Sequence, residues 1–360
     1  MKINGVAVIV MLLPGVAVAQ SSVTLYGEID TGISYINNAR GASVVKMRSG
    51  AWDGSRWGLI GSEDLGSGYH AIFKLENGFD STSGSLGNGG RLFGRQSYVG
   101  LDSPYGTLTF GRQYDTIVDN LGPILSNGRA SSPIYDLDNA GNDWATDNMI
   151  KFKSQRYYGL SGSVMYVFGG LAGHMSTNSA FGGGLNYSNG PLQAGVNYTS
   201  IRNPYHVWWN DTGASNIATF GSVLPTARSL DIAAMGASYN VGKFTARAGM
   251  THSAFTDSIN GSHSQFNTYE IQGDYMLRQD FRVAATAEFT EASLGLLAEH
   301  PKYRQYNLLA DYILSKRTDI YGWLIYGTAA GGATQAQIGQ LTASSTTRQV
   351  NVQVGMRHRF

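Results

Sequence analysis

From residue 23 onward, apolar and polar side chains take turns. Val23, Leu25, Gly27, Ile29 and Ile33 alternate with Thr24, Tyr26, Glu28 and Asp30. The same period returns at residues 192–199, 244–250, 269–277, 281–289 and 305–314. It returns once more at the end, where Val350, Val352, Val354 and Met356 alternate with Asn351, Gln353, Gly355, Arg357 and Arg359 before the chain stops on Phe360. A period of two places successive side chains on opposite faces, so each stretch predicts a β-strand with one oily and one wet side. Residues 163–168, 230–240 and 320–327 are apolar on both parities.

The links between these strands fall into two classes. Asp64–Tyr69, Asp102–Thr107, Gly159–Gly162, Ser188–Pro191, Asn240–Lys243, Arg278–Asp280 and Ser315–Asp319 are short. Between them lie longer Gly/Asn/Ser-rich stretches at about 37–54, 79–93, 113–147, 169–180, 201–229, 251–266, 290–302 and 328–347. Eight long and seven short links join 16 strands. The pattern predicts an all-β, antiparallel transmembrane barrel with short periplasmic turns and long extracellular loops. Hydrocarbon cannot satisfy an exposed backbone edge, so the sheet must close on itself. The apolar parity then meets lipid, and the polar parity faces a lumen too wide for side chains to fill.

A soluble β-sandwich also alternates. Two features favour the barrel. Aromatics recur near strand ends (Tyr35, Phe73, Phe79, Tyr187, Tyr198, Phe289, Tyr306, Phe360), as in interfacial girdles. Charges sit in mid-strand on the polar parity (Glu28, Asp30, Lys74, Arg247, Asp274, Asp311), where a dry core would not accept them.

Residues 1–19 read as a cleaved secretory signal: Lys2, an apolar run interrupted by Pro14 and Gly15, then Ala17-Val18-Ala19. The barrel domain is expected over 20–360. The whole chain carries 26 Lys and Arg against 25 Asp and Glu, and removing Lys2 leaves the signs balanced. That balance argues against nucleic-acid binding, which needs a clustered basic excess. With no cysteine, no disulfide can form.

"SSVTLYGEIDTGISY", "SRWGLIGSEDLGSGYHAIFKLENGF", "GRQSYVGLDSPYGTLTFGRQYD" and the terminal "VGMRHRF" resemble the Gram-negative general porins, over essentially all the chain after the signal. The resemblance implies a homotrimer of 16-stranded barrels in the outer membrane, surrounded by lipid and passing small hydrophilic solutes and ions passively. It also implies that Phe360 is an assembly signal read by the barrel-assembly machinery, and that the third long loop folds into the lumen.

That loop, about 113–147, holds Asp115, Asp119, Asp136, Asp138, Asp143 and Asp147, with Arg129 as its only Lys or Arg. A loop of such length is usually functional. Facing it, the family carries a basic ladder on the wall. Arg56 and Arg95 match it by their place in "SRWGLIG" and "GRQSYVGL"; Lys74, Lys151 and Lys153 share the inward parity. Facing charges of opposite sign would order water across a narrow waist and set ion preference. Arg112 has outward parity at a loop end, which suggests either snorkelling or contact with a neighbouring subunit.

Asp136–Asp147 has a passing likeness to a calcium loop, but Ala140 breaks the fifth ligand position. The seven histidines show no metal-ligand spacing, and there is no nucleophile elbow or phosphate loop. Neither an enzyme nor any cofactor or metal is therefore expected. A sugar- or anion-specific channel remains the alternative, with Trp208 and Trp209 as a conceivable aromatic track; a non-conducting surface barrel or adhesin is the third.

Overall fold

The computed structural model describes residues 21–129, 136–209, 227–257, 261–295 and 299–360; the expected signal at 1–19 lies outside them. The chain runs through β1 (Ser22–Ala39), β2 (Ala42–Ser49), β3 (Arg56–Gly66), β4 (Tyr69–Gly78), β5 (Gln96–Ser103) and β6 (Gly106–Tyr114). Helix α1 (Thr116–Arg129) follows, then β7 (Ala145–Ser154), β8 (Leu160–Val167), β9 (Ala180–Asn189), β10 (Leu192–Arg202) and β11 (Ala227–Val241). The last strands are β12 (Phe244–Asp257), β13 (His263–Arg278), β14 (Phe281–Ser293), β15 (Lys302–Ile313), β16 (Thr318–Ala330) and β17 (Arg348–Arg359).

β1 pairs antiparallel with β2, from β3 onward each strand pairs antiparallel with the next, and β17 returns to β1 in the register Glu28↔Arg359 to Ile36↔Asn351. The ring of strands is closed by this pairing. β2 pairs with the far half of β1 and β3 with its near half, so these two segments share one position in the wall. The closed barrel therefore has 16 strand positions. No helix among the described residues is long and apolar enough to cross a membrane.

The expected loop at 37–54 is not one. The chain reverses at Arg40 and Gly41, whose φ values of 56° and 103° suit a two-residue hairpin turn, and pairs back as β2. It leaves the sheet only at 50–55, where it turns into the lumen. The expected loop at 251–266 is likewise mostly strand, because β12 continues to Asp257 and β13 begins at His263.

The two parities separate as the sequence requires. Val23, Leu25, Ile33, Ile271, Leu308 and Val354 are exposed on the outer surface, while Glu28, Asp30, Glu270, Asp274, Asp311 and Gln353 are buried on the inner one. The three stretches apolar on both parities mark where the inner wall receives a folded-in segment. Met165, Val167, Leu230, Ile232 and Ala234 join Ile117, Leu121, Ile124 and Leu125 of α1 in one apolar cluster. Trp323 and Ile325 pack with Ile36, Ile338 and Leu341, with Trp52 against them.

Closure is sealed at the last residue. Phe360 and Gly27 exchange both backbone hydrogen bonds at 3.0 Å. The Phe360 ring lies where a Cβ on Gly27 would stand, 2.4 Å from its Cζ.

Candidate functional site

The stretch at 113–147, expected as a loop, contains a helix. Asp115 starts it, its carboxylate accepting from the backbone N–H groups of Ile117 (2.9 Å) and Val118 (3.2 Å). This is N-cap chemistry, which satisfies donors that have no partner in the first turn. Ile117, Leu121, Ile124 and Leu125 then recur at helical spacing and are fully buried against the wall.

The wall is built to accept the helix closely. A Cβ at Gly195 would stand 2.4 Å from the Asn120 carbonyl oxygen; at Gly184, 2.6 Å from the Asn120 amide nitrogen. Asn120 fixes the helix through its amide, donating to Ser163 Oγ (2.9 Å) and Asn197 Oδ1 (3.0 Å). Its carbonyl accepts from Asn186 Nδ2 (2.9 Å).

The acids of this segment do not form one face. Asp115, Asp136 and Asp138 are fully buried and hold the segment together rather than line the lumen. Asp115 also accepts from Asn139 Nδ2. Asp136 accepts from the N–H groups of Gly141 (2.6 Å) and Asp143 (3.0 Å), and Asp138 from Ala140 N and Thr251 Oγ1. A short carboxylate satisfies turn backbone well, and that use competes with exposure to the lumen. Asp119 pairs with Lys151 (2.8 Å) and Lys153 (3.3 Å), joining helix to wall. Asp147 pairs with Arg91 and Arg112. Of the six, Asp143 lines the cavity described next.

Arg112 is engaged within its own chain. Its guanidinium donates to Gly94 O (2.6 Å) and Asp147 Oδ1 (2.7 Å). It follows Gly111, where β6 slips register against β7. Trp208, named above for an aromatic track, is buried, with Nε1 donating to Thr146 Oγ1 (2.8 Å). The side chain of Trp209 lies outside the described residues.

A cavity of ≈ 520 Å³ occupies the lumen between the third loop and the opposite wall. Arg95, Arg282, Arg357 and Arg359 line it, together with Asp53, Asp80 and Asp143. Each arginine is braced from behind by a carboxylate: Arg95 by Glu76 (2.9 Å), Arg282 by Asp311 (3.1 Å), Arg357 by Asp319 (3.1 Å) and Arg359 by Glu28 (2.9 Å). Arg56 sits beside it, bound to both oxygens of Asp53 and within 3.5 Å of Glu28. Lys74 pairs with Glu76 and lies over the Tyr26 ring, away from the cavity lining.

Sequence reasoning named Arg56 and Arg95 but missed Arg282, Arg357 and Arg359. The signal was there: Arg357 and Arg359 share the wet parity of the last strand.

A model of the Gram-negative porin family matches residues 5–332. The chain belongs to the Gram-negative porin family. An outer membrane porin protein of Bordetella pertussis is 31% identical, over 96% of each chain. Outer membrane porin protein 32 of Delftia acidovorans is 29% identical, with both chains covered in full. A solved anion-selective porin from Comamonas acidovorans superposes with a TM-score of 0.75 at 25% identity, over 95% of this chain and 100% of that one. This porin is an outer-membrane channel for passive diffusion.

The loop acids of this porin differ in how they hold protons. Burial pushes the Asp143 carboxyl up to about 6, against the pull of Arg95. Burial also favours the neutral form of Asp53, but Arg56 and Arg95 outweigh it and hold that carboxyl at about 2. Acidification from about pH 8 to about pH 5 therefore neutralises Asp143 and spares Asp53. Because the folded pKa is raised, the stability linked to Asp143 is complete below its ordinary pKa and is lost as pH rises through about 6. Permeability to anions over cations is expected to rise as pH falls through that value. In Asp143→Asn the step should vanish. Reversal potentials in a salt gradient across the pH range check this, and an identical step in both proteins would contradict it.

Proposed function

We propose that this porin works as a homotrimer in which each barrel filters small hydrophilic solutes and ions at one eyelet, with a modest preference for anions. The observation that carries the reading is the set of four braced arginines lining the ≈ 520 Å³ cavity. Each guanidinium has five donors and spends only some of them on the wall carboxylate, so N–H groups remain for a passing solute. Of the three lining acids, Asp53 is already held by Arg56, and Asp80 accepts from Thr82 in its own turn. The anion-selective porin from Comamonas acidovorans lends support. The pairing of signs orders water across the waist and penalises solutes that lose hydration without gaining partners. Export through a leader cleaved after Ala19, insertion by the barrel-assembly machinery reading Phe360, and contact with outer-membrane lipid belong to the same reading.

The test is reversal potential and conductance in planar bilayers for wild type and for Arg56→Ala combined with Arg95→Ala. Loss of the pair should lower anion preference by about threefold and raise conductance, because charge and bulk leave the waist together. Unchanged values would remove both residues from the filter. Block of the current by micromolar amounts of one solute would instead mark a substrate-specific channel.

A further inference from the structure

The short segment Gly50–Ser55, between β2 and β3, turns into the lumen and is bound there at many points. Asp30 on β1 is the main anchor: its Oδ2 accepts from the backbone N–H groups of Trp52 (2.7 Å) and Asp53 (2.6 Å). Its Oδ1 accepts from Tyr321 Oη (2.6 Å), and its backbone oxygen from Gly50 N and Ser55 Oγ. Gln353 Nε2 donates to Ala51 O (2.7 Å), and Arg56 Nη1 to Gly54 O (2.8 Å). A wholly buried carboxylate is costly unless its lone pairs are used, and here the inward turn uses them.

The turn presents Trp52 to arginines of β17 and β14. The Arg357 guanidinium lies 3.9 Å from the Trp52 ring centroid and that of Arg282 lies 5.1 Å away. Tyr321 and Trp323 meet the same ring edge-on at 5.2 and 6.4 Å. Both cations are within the range where an indole face attracts them. Trp52, Asp53 and Gly54 line the same cavity as Gly141, Asn142 and Asp143 of the third loop.

We propose that Gly50–Ser55 is a second inward-folded constriction element facing the third loop, and that Trp52 is a positioning residue that sets the width and charge of the eyelet by holding Arg357 and Arg282 toward the channel axis. Without the ring, Arg357 has Asp319 behind it and Arg282 has Asp311 and Asp274. Both cations would then fall back on the wall, and the space filled by the indole would open to solute. The inference rests on the reading of this lumen as the conducting path.

The test uses the full chain in planar bilayers, with folding checked by heat-modifiable migration. Trp52→Ala and Trp52→Leu should each raise single-channel conductance about 1.5- to 2-fold and lower the anion-to-cation permeability ratio about twofold. Trp52→Phe, which keeps an aromatic face, should restore most of both. Leucine keeps apolar packing against Tyr321 and Trp323, so it carries the test if alanine fails to fold. The chain has no cysteine, so Gly54→Cys gives an independent measure: a thiol-specific charged reagent should reduce its current. Folded Ala and Leu variants with wild-type conductance and selectivity, a Phe variant that behaves like Ala, or a Gly54→Cys current indifferent to reagent would each overturn the proposal. A wild-type protein that conducts nothing would overturn the channel reading itself.

Discussion

Replacing Gly195 with valine should raise the single-channel conductance of this porin severalfold while leaving the barrel folded. A Cβ at 195 would stand 2.4 Å from the Asn120 carbonyl oxygen and 3.1 Å from Leu121 Cδ2. The first of these is helix backbone, which cannot swing aside as a side-chain tip can. The strand is held on both sides by β9 and β11, so the helix is the part that yields. What it must give up is large. Full burial of Ile117, Leu121, Ile124 and Leu125 is worth roughly 6–12 kcal/mol in gross transfer terms, an upper bound. The Asn120 bonds to Ser163, Asn197 and Asn186 go with it. Valine suits a strand, so wall propensity does not oppose the change. Gly322→Val is the control, because a Cβ there meets nothing within 4 Å. Wild-type conductance in a folded Gly195→Val porin would show that the helix is not seated through this contact.

Replacing Gly27 with leucine should cripple closure of the barrel. Its Cβ would fall 2.4 Å from Phe360 Cζ and 2.7 Å from the Arg56 backbone oxygen. Overpacking of this kind costs about 1–3 kcal/mol, and losing the two Gly27–Phe360 backbone bonds adds about 1–3 more. The temperature at which the barrel loses its compact form in heat-modifiable electrophoresis should drop by several degrees. Phe360→Ala in the same chain should recover part of the loss, since it removes the ring but not the Arg56 contact. A double-mutant cycle measures that coupling, and strict additivity would mean that ring and glycine do not share the seam.

The barrel was legible because its solvent contrast is written residue by residue. Val350 to Met356 on one parity and Asn351 to Arg357 on the other can satisfy both lipid and water in one strand geometry. The positions that broke this rule carried information too. Leu230 and Ile232 are inward and apolar because α1 covers them, and Trp323 because Trp52 does. Helix α1 itself could have been read from the Asp115 cap and from the spacing of Ile117, Leu121, Ile124 and Leu125, but Gly122 and Pro123 obscure it.

The charges divide differently. Parity along a strand says which side of the wall a side chain leaves from, so Arg56, Lys74, Arg357 and Arg359 could be placed inward from sequence alone. Parity does not say at what height, or against which partner, that side chain ends. Lys74 turns to Glu76, whereas Arg357, the register partner of Asp30, lies over Trp52 of the inward turn. In the third loop there is no parity to use. A loop aspartate can cap a helix, brace a turn or face the channel with the same local sequence, and Asp115, Asp136 and Asp143 do these three things. The sequence by itself determined a closed cylinder, because alternation and the lack of water in hydrocarbon leave the backbone no other way to pair. Which charges meet in its centre was decided only by the tertiary structure, because those partners lie on strands and loops far apart in the chain and are brought together by closure.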